Sequence, residues 1–280
     1  EQYMVILVIN ANELPHAKEI ARSLVGACHS IASVVVNVNT KNTNVILGDK
    51  NITVYGRDYI TDRLGDYFFK ISPLSFYQVN PVQAEALYNY AIEAAGITKN
   101  DIVFDLYCGI GTISIFMADS AKEVYGVEIV EQAIDMAKEN AEFNEVENTH
   151  FIAGDTELVL TDLIENKNVI PDVIIVDPPR KGLDNTSISN ILNVKPRRVV
   201  YISCNPASLV RDLSLLEESY EVKVIQPFDM FCFTRSCGVC ISAATKTRHV
   251  ILDFDMVSEI ITFEQKGRFW KKTSKFGCES

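Results

Sequence analysis

The sequence predicts an α/β protein, a doubly wound and mostly parallel sheet preceded by a smaller β-rich α+β domain. Three observations carry this. From residue 101 onward, short apolar runs alternate with stretches of helical periodicity, the pattern of strands joined by crossover helices. The run Ile102-Val103-Phe104 leads straight into Asp105-Leu106-Tyr107-Cys108-Gly109-Ile110-Gly111, so a buried strand empties into a glycine-rich turn and then a helix beginning near Thr112. Upstream of residue 72 the segments are instead short, β-branched and alternating.

In chain order, residues 4–9 read as a strand, and Glu13–Ala27 as a helix with Leu14, Ile20, Leu24 and Val25 on its apolar side. Ile31–Asn37, Thr43–Gly48 and Asn51–Tyr55 alternate like antiparallel strands, and Tyr67–Ser72 is another. Pro81–Ala95 reads as the helix leading into the doubly wound unit. Strands are expected at 102–106, 123–128, 149–153, 172–177, 198–203 and 221–226, with helices between. In the helix Glu131–Asn144, Ile134, Ala137 and Ala141 share one face, with Met136 on its flank. The last 30 residues offer no clear element beyond a strand at 249–254. The chain opens on Glu with a strand almost at once, so it is expected to begin inside a larger protein. The expected division is a central β-rich domain over 1–76, truncated at its N-terminus, the doubly wound domain over 77–254, and a tail of unassigned order over 255–280.

Bulk properties narrow the function classes. No apolar run approaches the roughly 20 residues needed to cross a bilayer, and Met4–Ile9 is short and follows an acid, unlike a signal peptide. No membrane partner is expected. The seven cysteines are odd in number and scattered, which points to free thiols in a reducing, cytoplasmic compartment. A net charge of −11 argues against a general nucleic-acid coat protein and leaves room for an enzyme with a local basic groove. A monomer is expected. Cys232, Cys237 and Cys240 share one segment but lack a fourth ligand, so no metal is expected. His16, His29 and His150 are isolated and read as structural or surface residues, and the basic tail around Phe269 and Trp270 as a solvated terminus.

The chemistry concentrates at the carboxyl ends of the expected strands, where open α/β sheets bind ligands. Gly109 and Gly111 let a ligand approach the backbone with no Cβ in the way. Nineteen residues past Gly109, Val124-Tyr125-Gly126-Val127 ends in Glu128, placed to hold a ribose hydroxyl pair. Asp155 follows the next strand and is placed to meet an adenine amino group. Asp177-Pro178-Pro179-Arg180 follows the one after. Each acid alone is more often a helix cap, but four in order on successive strands point to a nucleotide-type ligand. The turn is GxG and lacks the third glycine that packs a helix under a pyrophosphate. A ligand without phosphates is favoured, and S-adenosyl-L-methionine fits.

The two prolines stiffen a loop against which a target base can rest, Pro178 leading, and the cation of Arg180 suits a phosphate or a developing enolate oxygen. Cys204, in Ser203-Cys204-Asn205-Pro206, follows a strand one unit beyond Asp177. A lone thiol is usually a buried hydrophobe. At a strand end beside a cofactor site, followed by the polar Asn205 and a proline, it reads as a nucleophile. Uracil C5 is a poor nucleophile until a thiolate adds at C6 and turns the ring into an enolate; C5 can then attack a methyl sulfonium, and a base must afterwards take the C5 proton so that the thiol can leave.

The segments Ser72-Pro73-Leu74-Ser75-Phe76-Tyr77-Gln78-Val79-Asn80, Asp105–Thr112, Asp177-Pro178-Pro179-Arg180-Lys181-Gly182 and Ser203–Pro206 together resemble the RNA 5-methyluridine methyltransferases, and among them the bacterial 23S ribosomal RNA enzymes. The likeness runs from about residue 4 to about residue 234. It implies an S-adenosylmethionine-dependent methyltransferase fold, an RNA substrate (ribosomal RNA ahead of tRNA), a cofactor site lined by Gln78, Tyr107, Glu128 and Asp177, and Cys204 as nucleophile. A cytosine-directed enzyme would need a Pro-Cys motif or a second thiol in the Asp177 loop, and neither is present. Two features depart from the pattern. The small β-barrel and four-cysteine iron–sulfur segments usual in the family are not in this stretch. The glutamate that serves as final base in the family aligns with Gly238, and Cys232–Cys240 contains no acid. The alternative expectation is therefore a catalytically impaired RNA- or cofactor-binding member of the same fold.

Overall fold

In the computed structural model, residues 2–42 and 44–230 are described in full and 258–265 as backbone. The N-terminal part holds β1 (Tyr3–Ile9), α1 (Ala17–Ala27), β2 (Ile31–Val38) and β3 (Lys50–Gly56). Strands β1 and β2 pair in parallel through the α1 crossover, and β3 pairs antiparallel to β2. Helix α1 begins at Ala17 rather than Glu13, because Pro15 precedes a left-handed His16 (φ 57°) from which the helix starts. Its Ala21 packs with Ile31 and Val34 in a small separate core.

No strand forms over residues 44–49, although alternation predicted one at Thr43–Gly48. Side-chain amides take the backbone partners a neighbouring strand would have used. Asn37 Nδ2 donates to the Gly48 carbonyl and its Oδ1 accepts from Gly48 N–H, both at 2.7 Å, while Asn39 Nδ2 donates to the carbonyls of Val45 and Ile46. An element absent from the sequence reading, β4 (Ile60–Leu64), forms a hairpin with β5 (Tyr67–Ile71). Its polar Thr61-Asp62-Arg63 centre hid it from a hydrophobic pattern.

The rest is the doubly wound unit: α2 (Pro81–Ala95), β6 (Ile102–Leu106), α3 (Thr112–Ala118), β7 (Glu123–Glu128), α4 (Glu131–Phe143), β8 (Thr149–Ala153), α5 (Thr156–Thr161) with one π-helical turn after it, β9 (Val173–Val176), α6 (Asn185–Val194), β10 (Arg198–Ser203), α7 (Pro206–Leu216), β11 (Tyr220–Phe228) and β12 (Ser258–Gln265). The sheet order is β11-β12-β10-β9-β6-β7-β8. From β10 to β8 every pairing is parallel, and β12 inserts antiparallel between β10 and β11. The sequence reading assigned no element there; the strand it placed at 249–254 lies outside the described residues. The central strand β9 is apolar and buried at all four positions, as a parallel strand covered on both faces must be. One core lies on the α2–α3–α4 face and a second on the α5–α6–α7 face. No helix among the described residues is long and apolar enough to cross a membrane.

Candidate active site

Parallel strands aim their carboxyl ends at one edge, so the sheet gathers the motifs. Leu106 lies opposite Val127 on one side and Val176 on the other, Val176 is opposite Tyr201, and Glu128 is opposite Ala153. Tyr107, Glu128, Asp155, Asp177 and Cys204 therefore all leave the sheet along the same rim.

The turn after β6 is held in an unusual shape. Tyr107 (φ 69°), Gly109 (φ 55°) and Gly111 (φ 81°) are left-handed, a region that a non-glycine residue such as Tyr107 rarely adopts. Backbone N–H groups of Tyr107 and Cys108 both donate to the Val127 carbonyl, which fixes the turn to β7. A Cβ on Gly111 would stand 2.8 Å from the Phe151 ring, whereas a Cβ on Gly109 would meet nothing within 4 Å. Gly111 is there for packing; Gly109 leaves open space above the turn. Glu128 accepts from Gly109 N–H at 3.3 Å and from Val130 N–H at 3.0 Å, so the carboxylate is oriented while keeping lone pairs for a ligand. Tyr107 turns its hydroxyl to Ser187 and Thr156, near Asp155 and Asp184, and burial raises its pKa. Asp155 is exposed and caps α5 by accepting from Glu157 N–H at 3.0 Å. Gln78 is partly buried in a loop braced by Ser72 and Ser75, whose hydroxyls lie 2.9 Å apart. The end of that loop, Asn80, caps α2 and reaches the Met230 carbonyl at 3.4 Å.

Two acids on adjacent strands shape the electrostatics. Asp105 is fully buried; Ser114 Oγ donates to its Oδ2 at 2.5 Å, and Oδ1 has no partner among the described residues. Burial pushes its pKa up to about 7, against the opposing Ser114 hydrogen bonds, and Glu128 adds to the rise. Asp177 is likewise pushed up to about 7, by burial first and then by the charge of Asp105. The hydroxyl of buried Tyr88, on α2, hydrogen-bonds Thr112 and lies near both acids.

Cys204 is exposed at the end of β10. Surrounding protein raises its thiol pKa, the charge of Asp177 adds to this, and Arg180, which hydrogen-bonds the sulfur, opposes both. Pro178 is buried, while Pro179 and Arg180 are exposed. The Asp177–Gly182 loop is clasped to α7. Asn205 Nδ2 donates to the Arg180 carbonyl at 2.7 Å, Arg211 donates to the carbonyls of Lys181 and Leu183, and buried Asp212 accepts from Leu183 N–H and from the Tyr201 hydroxyl, each at 2.8 Å. Asn205 also caps α7, accepting from Ala207 N–H at 3.1 Å. Cys204, Pro178 and Arg180 thus belong to one rigid corner.

Sequence reasoning missed Tyr88, Asn140 and the Arg211–Asp212 pair. The signal was present in two of them: Tyr88 and Asn140 are polar groups on the otherwise apolar faces of α2 and α4, and a buried polar group is normally there to make a hydrogen bond. Gly238 and the cysteines at 232, 237 and 240 lie outside the described residues. Among the described residues no cluster of metal-ligating side chains forms.

Comparison with known proteins agrees with this arrangement. A protein of Clostridium acetobutylicum named as an uncharacterized RNA methyltransferase is 47% identical over 234 residues, 83% of this chain and 51% of that protein. One of Halalkalibacterium halodurans with the same kind of name is 51% identical over 234 residues, again 83% and 51%. The chain spans about half the length of the curated relatives it matches. Among solved structures, the Pyrococcus abyssi tRNA (uracil-54, C5)-methyltransferase in complex with S-adenosyl-L-homocysteine matches with a TM-score of 0.70 and 27% identity, covering 94% of this chain and 56% of that one. A Methanocaldococcus jannaschii tRNA m1G37 methyltransferase, at 15% identity and TM-score 0.54 over 95% of this chain and 74% of its own, shares the fold. The fold is the Rossmann-like one of S-adenosylmethionine-dependent methyltransferases. The model of one family, described as tRNA (Uracil-5-)-methyltransferase, matches residues 29–246, a span that takes in the glycine turn, the strand ends that carry Glu128, Asp155 and Asp177, and Cys204; with the fold and these residues agreeing, the chain belongs to that family.

Proposed function

We propose that the chain carries the catalytic part of an S-adenosylmethionine-dependent enzyme that methylates uracil C5 in RNA. The observation that carries this reading is Cys204 at the rim of the sheet, in the same corner as Arg180 and Asp177 and two strands from the glycine turn. The turn, Glu128, Asp105 and Asp177 suit a cationic nucleoside ligand: Gly109 leaves room for it, Glu128 is oriented for ribose hydroxyls, Asp155 follows the neighbouring strand, and the sequence resemblance adds Gln78 and Tyr107 to the site. S-adenosylmethionine, when bound, supplies an electrophilic methyl group. A uracil lies against the loop that Pro178 and Pro179 stiffen, where Pro179 and Arg180 are exposed. The Cys204 thiolate adds to C6, the electron pair of the C5–C6 bond moves into an enolate that faces Arg180, and C5 would then take the methyl group as its bond to the sulfonium sulfur breaks, leaving the thioether S-adenosylhomocysteine. Removal of the C5 proton by a base then expels the thiolate and restores the double bond. A 23S ribosomal RNA is the substrate favoured by the sequence resemblance.

A positive charge placed opposite Asp177 also removes one cause of the raised Cys204 pKa. The ligand that brings the methyl group thereby favours the thiolate that needs it. The reading is tested with RNA containing 5-fluorouridine at the target, since fluorine blocks the final proton removal. A covalent protein–RNA adduct is expected on denaturing gels with S-adenosylmethionine present, and Cys204→Ala abolishes it. An adduct that survives in Cys204→Ala overturns the assignment of the nucleophile.

A further inference from the structure

We propose that Asn140 is a positioning residue that couples the β4–β5 hairpin to the glycine turn, so that a ligand held at the turn and the docking of the hairpin stabilise one another. The proposal rests on the reading of the turn as the S-adenosyl site.

Strand β5 pairs with β4 along one edge only, and its other edge meets helix α4. Two asparagines one helical turn apart act there as a substitute strand. Asn144 Oδ1 accepts from Phe68 N–H at 2.8 Å and its Nδ2 donates to the Phe68 carbonyl at 2.7 Å. Asn140 does the same to Lys70, accepting from N–H at 2.7 Å and donating to the carbonyl at 3.3 Å. The i, i+4 spacing brings both amides to one helix face, and the residues they serve alternate along β5, as outward-facing backbone groups on a strand edge do.

The two asparagines differ in what the rest of the amide holds. Asn144 Nδ2 also donates to the Asn140 carbonyl at 2.7 Å, within its own helix end, whereas Asn140 is fully buried and its Nδ2 also donates to the carbonyl of Ile110 at 3.1 Å. Ile110 lies between Gly109 and Gly111 at the centre of the turn. One amide group therefore holds the hairpin backbone and the turn backbone at once, and both its N–H groups are engaged. The Ile110 carbonyl cannot move without straining a buried hydrogen bond to the Asn140 amide that holds the hairpin. The hairpin in turn runs directly into the loop 72–80 that carries Gln78. Coupling of this kind is reciprocal: what stabilises the turn stabilises the hairpin by the same free energy.

The test is titration calorimetry of S-adenosyl-L-homocysteine against the 280-residue chain, Asn140→Ala and Asn144→Ala, with hydrogen exchange of the Lys70 amide in the unaltered chain. Asn144→Ala loses two hairpin bonds and one to the Asn140 backbone carbonyl, and touches no atom of the turn, so it separates loss of docking from loss of coupling. Asn140→Ala is expected to weaken binding roughly tenfold, within the range of site–site coupling, and Asn144→Ala by less than about twofold. Ligand is expected to slow exchange at Lys70. Equal losses in the two variants, or no loss in Asn140→Ala, overturn the proposal. If Asn140→Ala does not fold, Lys70 exchange indifferent to the ligand overturns it alone. Failure of the unaltered chain to bind is a separate outcome that removes the reading of the turn itself, and the proposal with it.

Discussion

At the scale of single residues, the pair Asp105 and Asp177 links ligand charge, pH and the nucleophile. Both carboxyls are held near 7 in the folded chain, against about 4 in an unfolded one. The folded state therefore binds more protons than the unfolded state between those values. Their contribution to stability is fully present below about pH 4 and is lost as pH rises through 7. Asp177→Asn removes one such acid. An acid shifted this far costs up to about 4 kcal/mol at pH 8 if it titrates alone; Asp105 supplies part of the Asp177 shift, so a gain of about 2 kcal/mol is expected. Denaturant melts at pH 8 and pH 4 check it, with the gain shrinking toward pH 4. The same variant lowers the Cys204 pKa, because the Asp177 charge opposes the thiolate, and alkylation of Cys204 at pH 8, read by peptide mass spectrometry, is expected to speed up. A variant less stable than the parent at pH 8 contradicts the buried-acid account.

At the scale of elements, the β6–turn–α3 unit uses its two glycines for different purposes. Gly111→Ala drives a methyl group into Phe151 and Ala137 at a left-handed position, and a loss of roughly 2–4 kcal/mol is expected from strain and overpacking together. Gly109→Ala meets no neighbour, so only the left-handed backbone cost of about 1–2 kcal/mol applies. Its larger effect is expected on S-adenosylhomocysteine affinity, because the methyl group fills the space above the turn. Thermal melts and calorimetry on the two variants give opposite orders of severity if this division holds. The clasp of α7 on the Asp177–Gly182 loop follows the same logic. Gly182 (φ 77°) has no room for a Cβ, which would stand 2.4 Å from Asp212 Oδ2, so the loop seats tightly on the buried carboxylate that fixes it.

At the scale of the whole molecule, the sheet brings Cys204, Asp177 and the glycine turn to one rim, and in the proposed mechanism the release step depends on a base. The sequence carries glycine at 238, where the resemblance expects glutamate. A positioned base contributes about 10²–10⁴-fold to a proton transfer. On ordinary RNA the chain is therefore expected to turn over slowly and to accumulate a methylated RNA–protein adduct, visible by gel shift and mass spectrometry. Rapid multiple turnover would sink this expectation and make Asp229, exposed just past β11, the first residue to mutate.

The sequence by itself determined the alternation of strands and helices, the rim on which Tyr107, Glu128, Asp155, Asp177 and Cys204 fall, and the spacing of the glycine turn. These are local patterns, because a strand of period two and a turn needing glycine both leave their mark within a few residues. Other features were decided only in three dimensions. The hairpin of polar β4 and the replacement of a strand at 44–49 by side-chain amides use nearer partners that leave no hydrophobic pattern, while the insertion of β12 between β10 and β11 depends on partners distant in sequence. So do the shared proton affinity of Asp105 and Asp177 and the double grip of Asn140 on Lys70 and Ile110. Burial and hydrogen-bond completion act between residues that meet only when the chain is packed, and no short window of sequence records which groups those are.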